Sequence, residues 1–148
     1  MSILQTAFLD PRGAPQFAQA TITFTGAANF GAVGAVPMFT VSGGAVLVRY
    51  IAGRVTTNLA GATAQISLGI TGITALFIAL TTATTMLTSA ELWVSATPTA
   101  AGLALPAATK DILIDANIIG TVGTAAVSSG VLVVDVVWEP ITAGATVT

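Results

Sequence analysis

The sequence predicts an all-β protein, a β-sandwich or jelly-roll-like domain over residues 21–148 that follows an extended N-terminal arm over residues 1–20. Three observations predict it. In several runs apolar residues alternate with polar or small ones at a period of two, the spacing of a strand with one buried face. Clusters of Gly, Pro and Ser separate these runs: "SGG" at 42–44, "LAG" at 59–61, "TPTAAG" at 97–102 and "SSG" at 128–130. No stretch shows the apolar period of a capped amphipathic helix.

Each element follows from its own residues. Residues 1–20 hold Asp10, Arg12, Pro11 and Pro15 and do not alternate, which suits an arm. Their large apolar side chains, Ile3, Leu4, Phe8, Leu9 and Phe17, need cover from a partner. "TITFT" at 21–25 puts Ile22 and Phe24 on one face and three threonines on the other. The glycines of "TGAANFGAVG" at 25–34 read as a turn or loop, since no Gly-Lys-Ser/Thr follows to make a phosphate cradle. "AVLVRYIA" at 45–52 puts Val46, Val48 and Tyr50 on one face, and Leu47, Arg49 and Ile51 on the other. "ELWVSA" at 91–96 is a short strand with Trp93 opposed to Leu92 and Val94. "KDILIDA" at 110–116 sends Ile112 and Ile114 one way and Asp111, Leu113 and Asp115 the other, with a helical turn as the competing reading of "AATKDILIDA". "VLVVDVVWEP" at 131–140 turns Leu132, Val134, Val136 and Trp138 inward and leaves Val131, Val133, Asp135 and Val137 outside, until Pro140 ends the strand. The tail "ITAGATVT" reads as a short loose segment.

Residues 64–87 carry no charge, and by length they qualify as a membrane span. Their period argues otherwise. Gln65, Ser67, Gly69 and Thr71 alternate with Ile66, Leu68 and Ile70, and the threonines at 71, 74, 81, 82, 84 and 85 are β-branched. The expectation is a strand at 64–70, a turn around "TGIT" and a buried strand at 74–80. An outer-membrane barrel is disfavoured by the 6% of aromatic residues, scattered and not in girdles, and by the lack of a secretory signal in "MSILQTAFLDPRGAP".

Composition narrows function. Charged residues make up 7% of the chain, against about 25% in an ordinary soluble domain. Such a surface calls for cover by other subunits. Four basic residues and a net charge of −2 cannot follow a phosphate backbone, so no nucleic-acid partner is expected. The absence of Cys and His removes disulfides, thiolate metal sites and the commonest general base. Asp111 and Asp115 share a strand face, yet lie roughly 13 Å apart along it, too wide for paired acid–base work. The carboxylates are better read as a solvated edge or as partners of Arg49, Arg54 and Lys110. Arg49, in apolar company, is expected in an ion pair at a subunit boundary. Trp93 and Trp138 read as core or interface anchors. No catalytic, cofactor-binding or metal-binding residue is expected.

The segment "ATAQISLGITGITALFIALTTATTMLTSAELW" (62–93) and the closing "GVLVVDVVWEPI" (130–141) resemble structural proteins of tailed-bacteriophage virions. The resemblance spans about the last two thirds of the chain and is one of style, so no functional residue carries over from it. Among such proteins, capsid decoration (cement) proteins are the most similar in size. The resemblance implies a body, often trimeric, that sits on the outside of a capsid and clamps its subunits. Tail, neck and fibre-base components are similar in style, and a small membrane protein of holin type is the remaining alternative. The expected partners are copies of the chain itself and other virion subunits, with no membrane. The expected interface residues are Phe8, Asp10, Arg12, Phe17, Arg49, Val131, Val133 and Val137.

Overall fold

A computed structural model describes residues 14–148 of the chain. Two antiparallel sheets face each other. The first holds β1 (Gln16–Phe24), β10 (Ser129–Pro140) and β4 (Val46–Ala60) in that order, with β7 (Leu92–Trp93) and β8 (Lys110–Ile114) sharing the far side of β4. The second has the order β2 (Gly34–Phe39), β9 (Ile118–Gly123), β5 (Gln65–Ile70) and β6 (Ile73–Thr82). A two-stranded ribbon joins β3 (Val41–Ser42) to β11 (Thr146–Val147). The chain passes between the two main sheets at most of its connections. Thus β1 and β2 lie in opposite sheets, and so do β9 and β10.

The inner faces make one core. Ile22, Val48, Ile51, Leu132 and Val136 come from the first sheet, and Val36, Ile66, Leu68, Ile78, Ile118 and Val122 from the second. Each such side chain contributes roughly 1.5–3 kcal/mol when fully buried, so a dozen of them outweigh any polar contact at the surface. The alternation read for β1, β8 and β10 holds: Ile22, Phe24, Ile114, Leu132, Val134, Val136 and Trp138 are all buried.

Several expectations change. Gln16–Ala20, assigned to the arm, are the first residues of β1 and pair with β10 from Trp138 to Val134. The tail is not loose. Val147 and Ala145 are buried in the core, and Thr148 exchanges two backbone hydrogen bonds with Thr40. The strand expected at 45–52 continues to Ala60 as β4. Within β4 the alternation slips at a β-bulge: Val48 faces Trp138 and Tyr50 faces Val137, so Arg49 is an extra residue. Beyond it the inward set is Ile51, Gly53 and Val55, and Tyr50 points out, the reverse of the simple period.

The stretch at 64–87 is β5 and β6, joined by a tight turn at residues 71–72. No helix among the described residues is long and apolar enough to cross a membrane. β5 is buried on both faces. Residues Ile73–Ala75 arch back over it, the Ser67 hydroxyl donates to the Thr74 carbonyl at 2.7 Å, and a Cβ on Gly69 would run into the Ile73 carbonyl and the backbone of Thr74. β6 is the end strand of its sheet, which leaves Thr74, Ala75, Ala79 and Leu80 exposed where a buried strand was expected. β2 and β9 fall where the sequence suggested only turns or no element. Gly120 and Gly123 interrupt the apolar alternation of β9, and a Cβ on Gly120 would come within 2.7 Å of the Met38 methyl on β2.

Candidate functional site

The outer face of the first sheet collects most of the charge of the described residues, together with the exposed side chains of Phe17, Tyr50 and Leu113. Rows of side chains cross it in register. Thr21, Val133 and Arg54 stand in one row, and Gln19, Asp135 and Ala52 in the next. Phe17, Val137 and Tyr50 follow, and then Glu139, Leu47 and Leu113.

Two polar ladders cross this face. In the first, Asp135 accepts a hydrogen bond from Gln19 Nε2 at 2.6 Å and faces Arg54 Nε at 3.6 Å, so one carboxylate ties β1, β10 and β4 together. In the second, Arg49 reaches Asp111 on β8 through Nη1 at 2.9 Å and Glu139 on β10 through Nε at 3.2 Å. Arg49 stands on the outer face in phase with Leu47, between two strands that each offer a carboxylate. Asp111 itself has φ 55°, a left-handed conformation that Asp tolerates better than most residues. These pairs are partly exposed, and each contributes at most about 1 kcal/mol. Their larger effect is to satisfy five charged side chains inside one chain.

Between and beside the ladders lies uncovered apolar surface. Phe17 and Leu113 are each 62% exposed and Tyr50 is 36% exposed, with Val137 and Leu47 half-buried among them. An aromatic and aliphatic centre edged by neutralised polar groups has the make-up of a protein–protein contact.

Of the expected interface residues, Phe17, Arg49, Val131, Val133 and Val137 all fall on this one face. Phe8, Asp10 and Arg12 lie outside the described residues. Two of them already have cover or partners within the chain. Val133 is only 7% exposed, flanked in register by Thr21 and Arg54, so it offers little contact surface. Arg49 finds two carboxylates within its own chain. Tyr50 and Leu113 were not singled out. Leu113 was already legible as outward-facing, whereas Tyr50 turns out only because of the bulge. Trp93 and Trp138 are both core residues.

Asp111 and Asp135 sit on strands flanking β4, each against its own arginine, one of the two readings the sequence left for the carboxylates. Among the described residues no group of three or more His, Cys, Asp or Glu side chains is placed to hold a metal ion.

Fold and face together define a class: a charge-poor antiparallel β-sandwich with a self-neutralised, apolar-centred outer sheet. No protein-family profile matches the chain, and no curated protein matches it. Among solved structures, the chain is similar to one from "Cyanophage Pam1 capsid asymmetric unit", with a TM-score of 0.52 and 20% sequence identity over 86% of each chain. At that identity the likeness is one of fold.

Proposed function

We propose that the chain is a non-enzymatic structural protein of a tailed-bacteriophage virion. Within the virion it is a decoration (cement) protein that binds the outer surface of the capsid as a homo-oligomer. The observation that carries this reading is the strand order. A first sheet β1-β10-β4-β7/β8 against a second sheet β2-β9-β5-β6, with the chain crossing between them, supports a jelly roll, an architecture of viral capsid domains. The fold likeness to a chain of a cyanophage capsid asymmetric unit also supports it. The stripe of Phe17, Tyr50, Val137 and Leu113 supplies the contact surface, and the segment before β1 acts as a docking arm.

A cryo-EM map of the particle that carries this protein tests the reading. Density matching the sandwich on the outside of the shell is expected. Density confined to the tail or neck, or a particle complete without the protein, overturns it.

A further inference from the structure

Every sheet ends in strands whose outer backbone N–H and C=O groups lack a ladder partner, and proteins usually guard such edges with charges, prolines, bulges or short strands. Three of the four edges here are guarded. β2 contains Pro37 with a register break beside it. β6 is interrupted by two register shifts. The side of β4 away from β10 is capped by β7 and β8, of two and five residues, with Lys110 and Asp111 in β8.

β1 has none of these devices. It pairs with β10 over nine consecutive residues without a shift, and Gln16–Phe24 contains no charge and no proline. Among the described residues, no backbone hydrogen bond links Gln16–Phe24 to anything other than β10. On the inner side of this edge, Ala18 and Ala20 are only half-buried against the core.

We infer that the free edge of β1 pairs antiparallel with β1 of a second copy of this chain, across a two-fold axis at Ala20. The chemistry of the edge calls for an extended backbone, and the side chains of β1 are complementary to themselves. With the axis at Ala20, Ile22 of one copy faces Ala18 of the other on the inner side, large against small on both sides of the axis. On the outer side Gln19 faces Thr21 and Phe17 faces Thr23, with no like charges opposed. Nine facing pairs supply roughly eight to ten backbone hydrogen bonds, the number a typical protein interface carries. The pairing extends the first sheet through both copies and brings their Phe17-bearing outer faces into one surface. The assembly unit is then a dimer or a multiple of two, where the resemblance implied a trimer.

The chain has no cysteine, so crosslinking reports the pairing cleanly. Gln19→Cys and Thr21→Cys variants, both at exposed positions, are prepared separately and then mixed under mild oxidation. The expected result is a disulfide-linked dimer in the mixture and little in either variant alone. Sedimentation of the wild-type chain is expected to give a dimer. The Gln19→Lys/Thr21→Lys double variant sets lysines against lysines across the axis and is expected to be monomeric with an unchanged β spectrum. A wild-type monomer or trimer, or a mixture that crosslinks no better than the single variants, overturns the inference. So does a monomer that becomes a dimer only when residues 1–13 are deleted, because the chain's own N-terminal segment then holds the edge. All of these results are read in solution and stand whatever the particle map shows.

Discussion

The indole Nε1–H of Trp93 on β7 donates to the hydroxyl of Thr81 on β6 at 2.8 Å, and the two strands belong to opposite sheets. Both residues are buried, and Thr81 donates onward to the Ala79 carbonyl at 3.1 Å. Beneath the indole lies Gly53, the register partner of Trp93, where an added Cβ would come within 2.7 Å of the ring. One polar contact therefore fastens the two sheets where the end strands β6 and β7 meet, and a missing side chain makes room for it.

Thr81→Val should lower the free energy of unfolding by about 1–3 kcal/mol, the cost of leaving a buried donor without an acceptor. Thr81→Ser should recover most of that loss. Gly53→Ala should cost a similar 1–3 kcal/mol through overpacking against Trp93. Urea unfolding followed by tryptophan fluorescence measures all three. A Thr81→Val variant as stable as wild type would show that the hydrogen bond adds nothing.

Asp111 separates backbone strain from charge. Asp111→Val places a β-branched residue at φ 55° and should destabilise by roughly 1–2 kcal/mol beyond the loss of the ion pair. Asp111→Gly relieves the conformation while losing the same pair, so it should lie close to wild type. Arg49→Ala, which breaks two exposed pairs, should cost no more than about 1–2 kcal/mol in total. Thermal unfolding of the three variants ranks them, and Asp111→Gly below Asp111→Val would refute the backbone argument.

The outer-face stripe should matter for attachment and not for folding. Tyr50→Ser combined with Leu113→Ser removes two of its exposed apolar groups. Binding of the purified protein to undecorated particles should weaken tenfold or more, about 1.4 kcal/mol, with Tm changed by only a few degrees. Unchanged binding would move the attachment surface elsewhere.

Deleting residues 1–13 should leave a folded protein with unchanged β content, because the described core draws all of its buried side chains from Ile22 onward. If that segment is a docking arm, particle binding should fall at least tenfold. Failure of the truncated chain to fold, seen by circular dichroism, would make the segment part of the core.

The fold class was legible because period-two alternation depends only on the pleat. Ile22 and Phe24, Ile112 and Ile114, and Leu132 through Trp138 sort onto their faces whichever strand lies next to them. β2 and β9 were hidden for physical reasons as well. Pro37 is tolerated because β2 is an end strand, and Gly120 is small because Met38 takes its space. Both read locally as breakers. The candidate face was half legible: Phe17, Val131 and Val137 belong to strands whose alternation never slips, whereas Tyr50 follows a bulge.

The sequence by itself determined that this chain is built of strands, which side chains most of them bury, and that a surface with so few charges calls for partners. Those properties reside in single segments and in composition. Only the tertiary structure decided which strands pair, where β4 slips by one residue, that Val133 is covered, that the carboxylates face arginines of the same chain, and which sheet edge remains unguarded. Each of these depends on two or more strands distant in the sequence, and a strand carries no local mark of the neighbour that will set its register.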